Sequence, residues 1–164
     1  MKIALALAII SLNTSCLAQS AGKAAVFTAA QLHQELTALD SQASAKGSSG
    51  AILGDYGSHA IKLSDRTASG GAEIHAHFDD IMMVMKGNAT LITGGEVVNP
   101  QRATDGETTG TAIRDGTVQQ IAAGDVVHIP AGTPHQLVIP PGTTYQALVI
   151  KLKEVDHETT GAGR

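Results

Sequence analysis

From Ala51 onward the sequence is divided into short runs rich in Val, Ile, Thr and Leu, which are separated by Gly, Asn, Asp or Pro. Runs of this length and composition predict β-strands joined by turns. Aromatic residues make up only 2% of the chain, so a core must be built from Val, Ile, Leu, Ala and Met. The sequence therefore predicts an all-β fold of the small barrel or sandwich type. The nine predicted strands cover residues 51–54, 57–66, 72–78, 80–86, 89–94, 117–122, 125–130, 134–139 and 143–152.

A polar stretch rich in Gly and Thr, residues 99–116, lies between the fifth and sixth predicted strands. Because it has no periodic apolar pattern, we expect it to form a long surface hairpin or lid. Residues 51–155 would then form the barrel. The tail, residues 156–164, has no apolar anchor and is expected to be flexible.

One amphipathic helix is predicted ahead of the strands, within the segment 19–50 that leads into the barrel. Thr28 followed by Gln31 is a capping-box pattern. The apolar residues that then recur at helical spacing are Leu32, Leu36 and Leu39. We expect the helix to end at Asp40 or Ala43, before a Gly- and Ser-rich linker.

Residues 1–18 have the pattern of a secretory signal peptide. Lys2 supplies a positive start, residues 3–12 are an apolar run, and Cys16 and Ala18 place small residues before a cleavage site. We therefore expect a periplasmic or secreted protein. A lipoprotein acylated on Cys16 is the alternative, but Asn13 stands where an aliphatic residue is usual. Since Cys16 is the only cysteine, cleavage after Ala18 would exclude disulfides and thiolate catalysis.

The balance of charge narrows the range of partners. The chain has 11 Lys and Arg against 15 Asp and Glu, and it contains no Trp. It therefore offers little of the basic, aromatic-rich surface that nucleic-acid binding requires, and we expect no nucleic-acid partner. The apolar run near the start is too short to remain across a bilayer, so no stable membrane insertion is expected.

Several metal-binding side chains are predicted to meet at one point. A period of two sends Glu73, His75 and His77 to one face of a strand, and Asp80 opens the next strand. A rigid turn between two prolines starts another strand with His135. Buried imidazoles and carboxylates are costly unless a cation or hydrogen bonds satisfy them. The ligands available for one divalent transition metal (Mn, Fe, Zn, Ni or Cu) are His75, His77, Asp80 and His135.

These residues resemble the two motifs of the cupins, a family of small metal-binding β-barrels. In the first motif the His-x-His pair is intact, but Gly70 stands one residue closer to it than usual and Asp80 replaces the usual Glu. The residues that keep the family's spacing are Gly87 in the first motif and Gly124, Pro130, Gly132 and His135 in the second, while Ile139 replaces the final Asn. The resemblance implies a cupin-type barrel (a double-stranded β-helix or jelly roll) in which His75, His77, Asp80 and His135 bind one metal. The shorter Asp80 leaves three arrangements open: direct binding, binding through water, or a site of three histidines.

Two further residues are candidate catalytic proton carriers. Glu73 is a candidate next to the metal, the alternative being a solvated carboxylate paired with Arg66. His128 lies on a strand with a buried pattern and is a candidate at the pocket mouth.

The predicted strand 80–86 is apolar on both faces. Alternation places Met82 on the metal side, and Met83 and Met85 on the opposite side. The outer face must therefore be covered by the helix or by a second subunit, and we favour a homodimer.

Four protein ligands would leave open positions on a six-coordinate ion, which makes an enzyme chemically plausible. Cupins include oxygenases, decarboxylases, isomerases and non-catalytic binding domains, so the resemblance does not select a reaction. We expect a metal-dependent enzyme that acts on a small, neutral or weakly acidic organic molecule. The scarcity of Lys and Arg argues against phosphorylated sugars. A non-catalytic metal- or metabolite-binding protein is the alternative, and a barrel without metal is a third hypothesis.

Overall fold

The computed structural model describes residues 23–154, and the predicted signal peptide and the predicted tail lie outside the described residues. The described part contains one helix, α1 (Ala29–Lys46), which is not long and apolar enough to cross a membrane. It is followed by thirteen strands: β1 (Ser48–Asp55), β2 (His59–Arg66), β3 (Ala72–His75), β4 (Phe78–Lys86), β5 (Asn88–Thr93), β6 (Glu96–Val98), β7 (Gln101–Arg102), β8 (Glu107–Gly110), β9 (Ala112–Arg114), β10 (Thr117–Ala122), β11 (Val126–Ile129), β12 (His135–Val138) and β13 (Tyr145–Lys153).

The strands form two main sheets that pack face to face. One has five strands in the order β1-β2-β13-β4-β11, and the other has six in the order β10-β5-β12-β3-β8-β7. Strands β6 and β9 form a separate pair, and all pairings in the described chain are antiparallel. The predicted all-β fold with one N-terminal helix is confirmed.

The expectation of a surface hairpin or lid at residues 99–116 is met by a hairpin, because β7 and β8 are antiparallel neighbours in this stretch. The hairpin is part of the six-stranded sheet and not a separate lid, since β8 also pairs with β3. Its residues are mostly exposed or partly buried, so alternation of apolar residues is weak. The pairing rests on backbone hydrogen bonds, which a hydrophobic pattern does not reveal.

Helix α1 begins at the predicted cap. The Thr28 hydroxyl accepts a hydrogen bond from the Gln31 backbone, and the Gln31 side chain accepts one from the Thr28 backbone. The helix runs to Lys46, three residues beyond Ala43, and is capped by Gly47, whose φ of 85° suits glycine. Its apolar face packs on the outer side of the five-stranded sheet, in a cluster of Leu36, Leu39 and Leu63 with Leu32, Ala51, Leu53 and Leu148 around it.

A second apolar cluster fills part of the space between the two sheets. Its buried members come from both sheets and from the loops beside them: Met82, Val84, Ala89, Leu91, Ile121, Ile129, Ile139, Tyr145 and Ala147. The rest of the space between the sheets is a cavity of about 420 Å³. The inner-facing residues of β3, β4, β12 and β13 therefore meet around an open volume.

Candidate metal centre

Three side chains of the six-stranded sheet converge in the cavity. Glu73 and His75 are two residues apart on β3, and His135 at the start of β12 is the direct cross-strand partner of Glu73. One ligand atom from each of these residues lies within 4.8 Å of the other two. The alternation of β3 and its register with β12 place all three on the inner face of the sheet.

Each histidine has its Nδ1 engaged away from the centre of this group. His135 donates from Nδ1 to the Thr133 carbonyl at 3.0 Å. The Nδ1 of His75 is hydrogen-bonded to the carboxylate of Glu107, its cross-strand partner on β8. Each imidazole is thereby held with its Nε2 atom facing the carboxylates of the cavity. Metal-binding histidines are held in the same way in proteins.

Asp80 reaches the same point from the opposite sheet. Its Oδ2 atom lies 3.3 Å from the Nε2 of His75 and 3.8 Å from the Nε2 of His135. Its Oδ1 atom lies 3.0 Å from the Nζ of Lys151, its cross-strand neighbour on β13. Asp80 is therefore shared between the histidines and a lysine.

The pKa values of the two histidines are shifted in opposite directions. Burial lowers the pKa of His135, so this imidazole is neutral near pH 7. Burial also acts to lower the pKa of His75, but hydrogen bonds to Asp80 and Glu107 outweigh it and raise the pKa above its ordinary value. Burial acts to raise the pKa of Asp80, yet His75 and Lys151 bring it below its usual range, so Asp80 is ionised. The group therefore combines the neutral imidazole of His135 with the ionised carboxylate of Asp80.

These donors fit a divalent transition metal. Two ligands that are each bonded to one ion at about 2.1 Å lie roughly 3.0–3.5 Å apart. In the structure, the His75 Nε2 atom is 3.7 Å from Glu73 and 3.3 Å from Asp80, and the His135 Nε2 atom is 4.0 Å from Glu73. Small movements of these side chains would bring the atoms to ligand distances. Imidazole and carboxylate together suit Zn, Fe, Mn, Ni or Cu.

The structure does not bring His77 to this group. Strand β3 ends at His75, so the alternation that would have turned His77 inward stops two residues earlier. His77 lies in the turn before β4, is exposed, and has its ring against Gly106. Glu73, and not His77, is the third residue of the group that His75 and His135 form. Glu73 does not pair with Arg66, which was the alternative environment expected for it.

His128 also lies outside the cavity. Its neighbours Val127 and Ile129 on β11 face the inner apolar cluster, so alternation turns His128 outward. There its Nε2 atom is 3.0 Å from Asp79 on the protein surface. The expectation that His128 lines the pocket mouth is therefore corrected.

Two residues of the site were missed by the sequence patterns. Glu107 lies in the stretch that was expected to be a surface hairpin or lid, and only the β3–β8 register brings it to His75. Lys151 could have been found, because it alternates with the inward-facing residues Ala147 and Val149 of β13.

The cavity lining is more basic than the composition suggested. Three basic side chains line it, Lys62, Arg66 and Lys151, in addition to the metal-binding group and Glu107. Apolar lining comes from Met82, Leu137 and Val149. A cavity of about 420 Å³ that combines convergent charged groups with an apolar wall has the size of a small-molecule site.

No protein-family model matches the sequence, and no curated protein matches it. Solved structures do match. The cupin domain of Cnp3 from Schizosaccharomyces pombe has a TM-score of 0.50 at 10% identity, over 65% of this chain and 61% of that chain. A cupin-2 domain protein from Rhodospirillum rubrum has a TM-score of 0.48 at 17% identity, over 67% of this chain and 62% of that chain.

A DMSP lyase from Ruegeria pomeroyi has a TM-score of 0.47 at 19% identity, over 68% of this chain. The match covers 49% of the lyase chain, so this chain spans about half the length of that structure. At these identities the likeness concerns the fold alone. The two facing sheets, with the two histidines on the inner face of the six-stranded one, agree with the superposition on the Cnp3 domain. The protein therefore has the fold of the cupin superfamily.

Proposed function

We propose that this protein is a metal-dependent enzyme that converts a small organic molecule in the cavity between its two sheets. The observation that carries the proposal is the convergence of the His75 and His135 Nε2 atoms with the Glu73 and Asp80 carboxylates beside an open cavity. A bound divalent ion would act there as a Lewis acid on a substrate oxygen. The reaction is proposed to be of the oxygenase, decarboxylase or isomerase type.

The chain's own residues prepare this site in three ways. Glu107 and the Thr133 carbonyl hold the two imidazoles at Nδ1, so little reorientation is needed when Nε2 binds an ion. Lys151 balances the charge of Asp80 and limits repulsion between the clustered carboxylates. The Glu73 side chain is 38% exposed, which places an oxygen donor on the side of the group that a ligand can reach.

Metal content and turnover test the proposal. Protein isolated from its native compartment should contain close to one transition-metal ion per chain, and His75→Ala and His135→Ala should lose it. His33→Ala, on the exposed side of α1, is the matched control and should keep the metal. Screening small acids for oxygen consumption, carbon dioxide release or isomerisation then identifies the reaction. A metal-loaded protein without turnover would favour the non-catalytic binding protein, and a metal-free native protein would end the proposal.

An extracytoplasmic location is part of the proposal and is supported by the sequence of residues 1–18. Cell fractionation followed by intact-mass measurement tests it. Chains that begin at Gln19 in the periplasmic or secreted fraction are expected. A full-length chain in the cytoplasm would contradict export, and an acylated Cys16 would support the lipoprotein alternative.

A homodimer through the outer face of the five-stranded sheet is also proposed. One row across this face consists of the cross-strand partners Ala51, Leu63, Leu148, Met83 and Val126. Helix α1 covers the first three, whereas Met83 is 48% and Val126 63% exposed. An uncharged patch can face its own copy about a twofold axis without charge repulsion. Sedimentation should show a dimer that Val126→Lys converts to a monomer, and a monomeric unaltered protein would contradict the proposal.

A further inference from the structure

Two basic side chains of the cavity are not used by the metal-binding group. Lys62 and Arg66 alternate with Ser64 on β2 and line the cavity from the five-stranded sheet. Within residues 23–154 neither forms an ion pair with a carboxylate, whereas Lys151 is paired with Asp80 at 3.0 Å. The lining therefore has two positive charges that no described residue neutralises.

Arg66 is in close contact with Gly70, which lies in the loop between β2 and β3. A Cβ atom on Gly70 would lie 2.6 Å from the Nη1 atom of Arg66, so the guanidinium rests against bare backbone at this point. Gly70 precedes Glu73 by three residues, so their backbones are at most roughly 10 Å apart. One small molecule in the cavity can therefore contact both the guanidinium and the metal-binding group.

Tyr145, the residue next to Arg66 on β13, does not provide a negative charge that would pair with the guanidinium. Tyr145, the cross-strand neighbour of Arg66, is fully buried, and its hydroxyl has no hydrogen-bond partner among the described residues. Burial raises the pKa of Tyr145 to about 12, although the charge of Arg66 acts in the opposite direction. The phenol is therefore neutral, and Arg66 keeps an uncompensated charge facing the cavity.

We infer that the small molecule of the cavity is a carboxylate, whose carboxylate end is bound by Arg66 with Lys62 while its other end lies at Glu73, His75 and His135. The second half of this statement rests on the proposed function. A guanidinium forms two parallel hydrogen bonds with a carboxylate, which is the geometry that distinguishes Arg from Lys. The apolar residues Met82, Val149 and Leu137 lie along the same cavity and suit a short hydrocarbon chain.

The charges of the cavity favour a carboxylate over a phosphate. Glu73, Asp80 and Glu107 line the cavity as well, so a doubly charged anion would be repelled more strongly than a singly charged group. A monoanionic end therefore matches the two free cations better than a phosphate dianion does.

Pentanoate and its uncharged analogue pentanamide test the inference by calorimetry on chelator-treated, metal-free protein. The unaltered protein should bind pentanoate more tightly than pentanamide. Arg66→Met should weaken pentanoate binding by about tenfold or more, the loss expected for a charge-assisted hydrogen-bonded pair, and Lys62→Met by a few fold. Arg102→Met and Lys153→Met, both exposed, are matched controls that should change neither affinity. If Arg66→Met does not fold, Arg66→Lys keeps the charge without the paired hydrogen bonds of the guanidinium and should bind several-fold more weakly.

Three outcomes would overturn the inference: equal binding of pentanoate and pentanamide by the unaltered protein, unchanged pentanoate affinity in the folded Arg66 and Lys62 variants, or tighter binding of inorganic phosphate through Arg66. Metal content is measured separately in the same variants. Intact metal binding with unchanged pentanoate affinity removes only the carboxylate site. Pentanoate binding that depends on Arg66 in a protein that never takes up metal removes only the proposed function.

Discussion

Glu107 accepts a hydrogen bond from the Nδ1 atom of His75, because the two residues face each other directly in the β3–β8 ladder. The bond leaves the Nε2 atom of His75 to face Glu73 and Asp80. The orientation of one candidate ligand therefore depends on a strand that follows it by 32 residues. Strand β8 thus orients His75 through Glu107, although Glu73, His75 and His135 themselves come from other strands.

Glu107→Gln is expected to weaken metal binding by about 10- to 100-fold while leaving the ligands in place. The amide oxygen of Gln can still accept from Nδ1, but it is uncharged and makes the imidazole a weaker donor to a metal. Competition with a chromogenic chelator measures the affinity. Glu96→Gln, an exposed glutamate paired with Arg114, is the control and should bind metal normally. An unchanged affinity for Glu107→Gln would show that the contact with His75 does not tune the site.

His77→Ala is expected to keep a full complement of metal, with an affinity within about twofold of the unaltered protein. The His77 side chain lies in an exposed turn against Gly106 and not in the cavity. Equilibrium dialysis compares this variant with Glu73→Gln, which should bind metal at least about tenfold more weakly. Loss of the metal from His77→Ala together with retention in Glu73→Gln would restore the ligand set that the sequence predicts.

The helix and the inner faces of the strands could be predicted, because the local residue patterns that stabilise them are visible in the sequence. The capping box at Thr28 and Gln31 defines the start of α1. The alternation of Tyr145, Ala147 and Val149 marks the inner face of β13. These patterns involve neighbouring residues, so a single sequence displays them.

The site was only partly predictable, because it depends on where strands end and on which strands pair. His75, Asp80 and His135 were placed correctly relative to one another by alternation and turn chemistry. The inward direction of His77 required β3 to continue for two more residues, and nothing in the alternation shows that it stops. The pairing of β3 with β8, which supplies Glu107, is a long-range register between two short strands.

Gly70→Ala is expected to weaken pentanoate binding about as much as Arg66→Met, with little change in thermal stability. The added Cβ would lie 2.6 Å from the end of the Arg66 side chain, which is flexible and can move away at small cost. Calorimetry and thermal melting measure the two effects. The control is Gly70→Ala in the Arg66→Met background, where it should cause no further loss because the two changes act through one contact. Additive losses would show that Gly70 acts independently of Arg66.

The contribution of Asp65 to the stability of the protein should fall as the pH rises above about 4. This residue is fully buried on β2, accepts a hydrogen bond from Gln146 at 2.6 Å, and has a second oxygen with no partner among the described residues. Burial raises the pKa of Asp65 above its ordinary 3.8, although the bond from Gln146 acts in the opposite direction. In the unfolded chain the group ionises at its ordinary pKa, so between the two pKa values the folded state holds more protons than the unfolded state. Asp65 therefore contributes full stability below pH 3.8, and this contribution is lost as the pH rises through the folded pKa.

Asp65→Asn should remove this dependence, since the amide oxygen can still accept from Gln146 and carries no charge to bury. Urea unfolding at a series of pH values, with the difference in unfolding free energy between the two proteins taken at each pH, isolates the contribution of Asp65. The difference should change by no more than ~1.4 kcal/mol per pH unit, the limit for one proton. Asp115→Asn, whose side chain is 84% exposed, should give a nearly flat difference over the same range. A flat difference for Asp65→Asn as well would mean that Asp65 ionises in the folded protein as it does in the unfolded chain.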